Sequence, residues 1–173
     1  MTLHRSAVLA SALIFLPGCG YRVAGKADLL PKDLKVIAIP AFGNVTTRYK
    51  LTDKLPAAIT REFLTRTRYQ VVADPDEADA ILQGAVVNYF SSSTVFDPQT
   101  GRASGVQMSV FLQVTLQDRK TGAILYQRPS MEFRQRYEIS VDQLAYFEES
   151  DVALARLSQD VARTLVSSIL ENF

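Results

Sequence analysis

The sequence predicts an α+β domain in which two helices pack on one face of a small mixed, largely antiparallel sheet, in the order β-α-β-β-β-β-α. Apolar residues recur every four positions over 51–63 and at helical spacing again over 154–169, which indicates two amphipathic helices. Between them, apolar and other residues alternate strictly over 106–117, which indicates a strand with one buried face. No internal repeat or low-complexity linker interrupts the chain, so we expect one domain.

The first elements of the domain are a buried strand and a helix. Residues 34–42, LKVIAIPAF, are short, apolar and rich in β-branched side chains, which predicts the strand. The polar segment that begins at Gly43 is interpreted as a loop. Asp53 is the expected N-cap of the helix, which places Pro56 in the first turn and the helix end near Thr67.

Four more elements complete the predicted fold. The run YQVVAD indicates a second short strand, and residues 81–139 indicate a three-stranded antiparallel meander. Pro129 in the last strand of the meander predicts a bulge or a sheet edge there. The final helix is expected over about Glu149 to Asn172, with Ser150 or Asp151 as its cap.

The chain begins with a segment typical of secretory targeting. Arg5 precedes ten uncharged residues, AVLASALIFL, which match the apolar region of a signal peptide, about 7 to 15 residues long. A membrane-spanning helix needs about 20 such residues. Residues Leu16 to Cys19, which begin with the last of these ten, resemble the bacterial lipobox, in which the cysteine thiol is diacylated and the cysteine becomes the new N-terminus after cleavage. Pro17 departs from that pattern, where Ala, Ser or Thr is usual.

Residues 1–18 are therefore interpreted as a lipoprotein signal peptide and residues 19–173 as a single domain with a short N-terminal tether. Lipidation of Cys19 would hold this domain at a membrane; the alternative is a buried core cysteine, a common place for a free thiol. Gly20 replaces the Asp expected of an enterobacterial inner-membrane retention signal, which favours sorting to the outer membrane.

Composition excludes most catalytic chemistry from the predicted mature chain. The only histidine, His4, lies in the segment to be removed, and the chain has one cysteine, so neither a His-based triad nor a zinc site of Cys and His can form. Removal of one arginine and no acid leaves 18 basic and 18 acidic residues, a balance that gives no reason to expect nucleic-acid binding. We expect no enzymatic activity, no cofactor and no metal.

Two further motifs have ordinary structural interpretations. The acids in DPDEADA, residues 74–80, lack the central Gly and distal Glu of an EF-hand, so a turn with a short N-capped helix is expected instead of a calcium site. The serines in YFSSSTVF, residues 89–96, have no lysine in their strand to activate a nucleophile, so a polar strand face is expected. Tyr137, Tyr146 and Phe147 are either core aromatics or part of a protein interface.

Four stretches in the same order resemble the LptE family of lipopolysaccharide-assembly lipoproteins. They are GCGYRVAG, LPKDLKVIAIPAFGN, LTDKLPAAITREFLTRTRYQVVADPDEADAILQG and VQMSVFLQVTLQD. With the terminal helix, the resemblance covers most of residues 19–173. It implies a non-enzymatic outer-membrane lipoprotein whose partners are lipopolysaccharide (LPS) and an LptD-like β-barrel. Such proteins plug the LptD barrel, assist its assembly and help to deliver LPS to the cell surface.

The resemblance also implies where the protein lies in the cell envelope. Its N-terminal lipid would anchor it on the periplasmic side of the outer membrane, and its domain would occupy the barrel lumen. The alternative function is that of a periplasmic-facing lipoprotein that scaffolds or activates another envelope complex.

Basic residues cluster between positions 102 and 136. This range contains six basic residues and only two acidic ones, Asp118 and Glu132, which is an excess of four positive charges. Arginine can bind lipid A phosphates with two parallel hydrogen bonds, so the cluster predicts contact with LPS or with an acidic barrel wall. The candidate contacts are Arg102, Arg119, Lys120, Arg134 and Arg136. The alternative is a solvated outer face.

Position along the strands refines this expectation. Arg128, Glu132, Arg134 and Arg136 share parity and point to one face unless a bulge separates them. In LptE-like proteins a basic residue near the first meander hairpin is implicated in LPS binding, and Arg102 is the best candidate for that place in this chain.

Overall fold

A computed structural model of the protein describes residues 30–96, 98, 101–139 and 143–171. Six strands of this part of the chain form one sheet, and two helices accompany it. The elements are β1 (Val36–Ala38), β2 (Gly43–Asn44), α1 (Leu51–Arg66), β3 (Gln70–Val72), β4 (Ala80–Phe96), β5 (Ala103–Asp118), β6 (Ile124–Glu138) and α2 (Gln143–Glu171). The strand order is β3-β1-β4-β5-β6, and β2 pairs with β4 beside this path. None of the described helices is both long and apolar enough to span a membrane.

The predicted α+β class is confirmed, with one additional strand. β1 runs parallel to β3 and β4, whereas β4, β5 and β6 form the antiparallel meander that the sequence predicts. The extra strand, β2, lies at the start of the segment interpreted as a loop. Because only Gly43 and Asn44 pair with Ala85 and Val86, this strand is too short to show a periodic pattern.

One hydrophobic core lies between the meander and the helices. The alternating residues of β5 are buried on one face, as predicted, and the periodic apolar stripes of both helices are buried in the same cluster. The two helices contact each other, and α2 also contacts β6. Burial of these stripes is the main favourable contribution to folding, at about 25 cal/mol per Å² of apolar surface.

Helix α1 begins earlier than predicted and is not capped by a side chain. Lys50 occupies the N-cap and makes no side-chain capping hydrogen bond, so the prediction that Asp53 caps the helix is wrong. Pro56 therefore lies beyond the first turn, where its missing N–H cannot bond the carbonyl of Thr52. The backbone N–H of Phe42 donates to that carbonyl instead, at 3.2 Å, which ties the end of the first strand region to the helix.

Helix α2 is also longer than predicted at its N-terminal end. It begins at Gln143, so Ser150 and Asp151 lie inside the helix and do not cap it. The predicted start was too late because the buried apolar repeat becomes regular only from Leu154 onward. The carboxylate of Asp151 instead pairs with Lys50 at 2.7 Å, an exposed contact between the two helices' N-terminal regions.

A close aromatic contact joins two of the sequence stretches that resemble the LptE family. The ring of Phe42, which is 2 % exposed, lies directly over the backbone of Gly84 in β4. A Cβ atom at position 84 would coincide with that ring, so only glycine leaves room for it. At Gly43, by contrast, an added Cβ would lie 3.5 Å from the Cβ of Ala85, an ordinary contact.

We therefore expect Gly84→Ala to lower the free energy of unfolding by about 1–3 kcal/mol, because the ring of Phe42 must leave its position in a packed core. Urea unfolding followed by circular dichroism measures the change. The matched control is Gly43→Ala, which adds the same methyl group where there is space. Equal stability of the two variants would show that Phe42 does not constrain Gly84.

Candidate functional site

The structure separates the five candidate basic residues into two groups. Arg119 and Lys120 lie in the turn after β5, whereas Arg102 lies just before β5 begins. β5 contains 16 residues and spans about 50 Å at about 3.3 Å per residue. Arg134 and Arg136 on β6 pair with Ser109 and Gln107, in the half of β5 nearer to Arg102. The candidates therefore do not form a single site.

A bulge in β6 divides the four charged residues that share parity. Leu112 pairs with Met131 and Val114 pairs with Arg128, so β6 has one extra residue next to Pro129. The predicted bulge at Pro129 is confirmed, and β6 is also an edge strand of the sheet. Because the extra residue reverses parity, Arg128 shares the face of buried Val114, with its guanidinium 5.6 Å from the ring of Tyr126. Arg134 and Arg136 lie on the opposite, outer face.

Arg134 is already paired with an acid of its own strand. Its Nε and Nη2 donate to the two carboxylate oxygens of Glu132, at 2.7 and 3.0 Å. The hydrogen bond from Arg134 lowers the pKa of Glu132, and the same bond raises the pKa of Arg134. Both groups are exposed to solvent, where such a pair contributes little to stability. An anionic ligand would have to compete with Glu132 for this guanidinium.

Arg136 has a neutral partner. Its Nε donates to the side-chain carbonyl of Gln107 at 3.1 Å, and no carboxylate of the described residues pairs with it. The side chain is exposed. Its positive charge is thus not neutralised by a neighbouring acid, so of the two arginines on the outer face it is better placed to bind a phosphate.

Aromatic side chains lie on the same outer face beside the arginines. Phe90 of β4 stacks on Phe111 of β5, with ring centroids 5.8 Å apart, and Phe90 remains 51 % exposed. Ser109 lies between the partners Phe90 and Arg134 and is 2 % exposed. This surface, which we call the outer patch (Phe90, Phe111, Glu132, Arg134 and Arg136), places apolar rings next to guanidinium groups.

Sequence reasoning identified the arginines of the outer patch but not its aromatic part. The available signal was Phe111, the one aromatic residue among the polar positions that alternate along β5. Phe90 gave no such signal, because a bulge in β4 near Val87 decides which face it occupies. An apolar and basic surface of this kind suits a ligand that carries phosphates and acyl chains.

Arg119 and Lys120 belong to a separate group of contacts, at the end of the sheet where β4 begins and β5 ends. We call this the near end of the sheet. The side chain of Arg119 donates to the carbonyl of Ala78 at 2.6 Å, and its backbone N–H donates to the carbonyl of Asp79. The ammonium of Lys120 lies 3.6 Å from the Asp79 carboxylate. That carboxylate accepts the backbone N–H groups of Lys35 and Val36, at 3.0 and 3.1 Å.

Asp79 thus joins the start of β1 to the start of β4 and to the turn after β5. The hydrogen bonds from the backbone of Lys35 and Val36 hold the pKa of Asp79 below its usual value, and the charge of Lys120 lowers it further. Both basic residues of this turn therefore have structural partners. Their predicted role as ligand contacts stays a prediction.

The other motifs have the structures expected of them where they are described. A 3₁₀ helix over Pro75–Glu77 follows Asp74, whose side chain accepts the N–H of Asp76, so the expected capped turn is confirmed. No group of metal-ligating side chains occurs among the described residues. Tyr137 is 5 % exposed and belongs to the core. Cys19 and the signal segment 1–18 lie outside the described residues, as do the side chains of Tyr146 and Phe147.

Known families and structures resemble this chain over most of its length. The family described as LptE, Lipopolysaccharide-assembly, matches residues 34–169. Three solved structures share the fold at low sequence identity. A putative lipoprotein from Caulobacter crescentus is 14 % identical with a TM-score of 0.56, covering 78 % of this chain and 88 % of its own. The rare lipoprotein B from Shewanella oneidensis is 12 % identical with a TM-score of 0.55, and the match covers 80 % of this chain and 96 % of that protein. Lipoprotein B from Nitrosomonas europaea is 15 % identical with a TM-score of 0.56, and the match covers 80 % of this chain and 84 % of that protein. No curated protein matches the chain in sequence.

We expect Asp79→Asn to lower the free energy of unfolding by about 1 kcal/mol at pH 7, because two charge-assisted hydrogen bonds become weaker neutral ones. Since folding lowers the pKa of Asp79, its contribution is complete above the ordinary aspartate value of about 3.9 and is lost as pH falls through the folded value. The difference between the variant and the native chain should therefore shrink below about pH 4.

Urea unfolding at pH 7 and pH 3 measures both effects. The matched control is Asp33→Asn, an exposed aspartate outside the helices and strands. A loss at Asp33 as large as at Asp79, or a loss at Asp79 that does not depend on pH, would contradict the role assigned to this carboxylate.

Proposed function

The chain belongs to the LptE family of lipopolysaccharide-assembly proteins, and on that basis we propose that it plugs an LptD-like outer-membrane barrel, helps it to assemble and assists LPS delivery to the cell surface. The observation that carries the proposal is the extent of the family match. Residues 34–169 include every described strand and nearly all of both helices, so the match covers the whole fold and not one motif.

The mechanism we propose is binding and placement, without covalent chemistry. The LptE family is a non-enzymatic lipoprotein family, and its role in LPS assembly implies association with LptD and LPS. A plug must present a folded, largely polar surface to a water-filled lumen. The outer face of the sheet agrees with this requirement, since Gln113 and Ser92 are exposed beside the outer patch.

The outer patch is the part of this surface that we propose contacts LPS. Lipid A combines phosphates with acyl chains, and the patch combines Arg136 with the stacked rings of Phe90 and Phe111. The β5 partner of Arg136 is Gln107, and Arg102 precedes Gln107 by five residues. Arg102 and Arg136 therefore lie at the same end of the sheet. These two arginines are the proposed phosphate contacts, and Arg134 is a weaker one because Glu132 already neutralises it.

The membrane anchor we propose is a lipid on Cys19 after removal of residues 1–18. An acyl chain contributes about 0.8 kcal/mol for each buried CH₂ group, and stable anchoring needs two such signals, which a diacylated cysteine provides. The tether from residue 20 to the start of the described domain at Leu30 would then hold the fold at the periplasmic side of the outer membrane.

Co-purification tests the central proposal. The full chain with a C-terminal tag, expressed in its native envelope and extracted in detergent, should bring down one large β-barrel in near-equal amount, identified by its mass. Recovery of a cell-wall synthase or another envelope complex without a barrel would contradict the plug and support the alternative, a scaffold or activator. The control is an unrelated lipoprotein with the same tag.

The anchor has an independent test in Cys19→Ser. The variant carries a cleavable, non-lipoprotein signal peptide in place of residues 1–18, because a lipoprotein signal is not cleaved without its cysteine. We expect it to be recovered in the soluble periplasmic fraction when the barrel is depleted, whereas the native chain remains with the membrane. Mass spectrometry of the native N-terminus should show a diacylated cysteine at position 19. Membrane association of Cys19→Ser without the barrel would refute the lipid anchor.

The outer patch predicts a ranked series of charge substitutions. Arg136→Glu should weaken the binding of purified LPS about tenfold or more, because it removes a charge-assisted contact and adds a repulsive charge. Glu132→Gln together with Arg134→Gln should cost less, since this double substitution removes a pair whose charges already neutralise each other in the unbound protein. The matched control is Arg61→Glu, an exposed arginine on α1. LPS affinity unchanged in Arg136→Glu, or lowered equally in Arg61→Glu, would exclude the patch as the phosphate contact.

A further inference from the structure

The sheet has an open edge in the half of β4 that leads into the β4–β5 hairpin, which we call the distal half. On one side, β4 pairs with β5 along nearly its whole length. On the other side, it pairs with β1 at Ala80 and Ile81 and with β2 at Ala85 and Val86. Beyond Val86, no described strand pairs with this side, so the outward backbone groups of residues 88–96 lack a strand partner within the described chain.

The other two edges of the sheet carry features that oppose pairing with another strand. β6 contains a proline, a bulge and five charged side chains. Charges, proline and bulges are the usual devices that prevent edge-to-edge association. β3 is protected by its length, since it contains three residues.

The open edge of β4 lacks two of these devices, charge and proline, although its pairing with β5 is irregular at Val87 and between Ser93 and Phe96. The strand AILQGAVVNYFSSSTVF contains no charged residue and no proline in 17 positions. Its distal side chains are exposed, including Phe90 at 51 %, Val95 at 56 % and Phe96 at 58 %. A long, uncharged and partly apolar edge of this kind is a template for an added strand.

From this contrast within one sheet we infer that residues 88–96 of β4 form a docking edge for an extended, uncharged strand supplied by a loop of the barrel partner. The inference rests on the proposed function and adds the mode of contact to it. The added strand would satisfy the outward backbone groups of β4, and its side chains would lie beside Phe90 and Ser92 on one face and beside Ser91 and Ser93 on the other.

The partner strand must come from a loop, because the wall strands of a closed barrel are already paired on both sides. It should carry no charge beside residues 90–96, since none of them could neutralise one. At the start of the edge, the guanidinium of Arg48 lies 4.8 Å from the ring of Tyr89. The loop can enter only from the distal end, since β2 occupies the same edge at Val86 and closes the other end.

A second copy of this chain fits the edge less well. If two β4 edges paired antiparallel around Ser92, the β2 strands of the two copies would limit the pairing at both of its ends. A single inserted strand meets β2 at one end only. The geometry thus favours a single inserted strand over a symmetric dimer.

Hydrogen exchange on the purified complex with the barrel tests the docking edge directly. In a strand, alternate amides point to opposite sides, so about half of the amides in 88–96 bond to β5 and half face outward. The outward amides should exchange fast in the isolated chain and at least about tenfold more slowly in the complex. Those of edge strand β6 should change less.

Lysine substitutions supply the second measurement. Ser91→Lys together with Ser93→Lys adds two charges to the open edge at exposed positions, and we expect about a tenfold loss of co-purified barrel. The matched control is Ser130→Lys, an exposed serine on the charged edge strand β6, which should leave the complex intact. Circular dichroism confirms that each variant folds.

The outcomes distinguish the docking edge from the proposed function. A complex that forms while the outward amides of 88–96 exchange as fast as in the free chain would overturn the docking edge and leave the plug intact. Failure of the native chain to bind any barrel would overturn both. Protection of 88–96 that rises with the concentration of the chain alone would assign the edge to a second copy and overturn the choice of partner.

Discussion

Burial of one face of β5 is the constraint on which the rest of the structure depends. This strand lies between β4 and β6, and its alternating apolar residues from Val106 to Leu116 are almost fully buried in the common core with α1 and α2. Because side chains alternate along a strand, fixing one face to the core directs the other face away from it along the whole strand. The domain therefore has a helix-covered side that provides stability and an open side that is free for contact.

The two ends of the sheet are organised differently. At the near end, three contacts join β1, β4 and the turn after β5. They are made by the Asp79 carboxylate, by the Arg119 side chain and by the Phe42 ring over Gly84. At the far end, β4 and β5 continue as a hairpin whose β4 strand is exposed from Ser91 to Phe96. A fixed base with an exposed hairpin is a geometry that suits insertion of the far end into a partner, in agreement with a plug.

The proposed contacts with ligand and with protein occupy neighbouring parts of this open side. The outer patch presents rings and guanidinium groups on the face of the sheet, whereas the docking edge presents backbone groups at its rim. Phe90 belongs to both, since it stacks on Phe111 and also lies on the open part of β4. Binding of a partner strand would thus alter the surroundings of the proposed lipid contact, which gives a physical route by which barrel and LPS binding can influence each other.

The sequence by itself determined the fold class, the antiparallel meander, the buried stripes of both helices and the family, because these depend on periodic patterns and on motif order. Tertiary structure alone decided the details that periodicity does not encode. A bulge at Pro129 separated Arg128 from Arg134, and a bulge near Val87 put Phe90 on the outer face. The predicted caps were wrong for a similar reason: no side chain caps α1, and its first turn is instead joined to Phe42 by a backbone hydrogen bond and to α2 by the Lys50–Asp151 pair. One extra residue reverses the faces of the strand beyond it, so the sequence showed the basic cluster but not that Arg128 lies on the opposite face from Arg134 and Arg136.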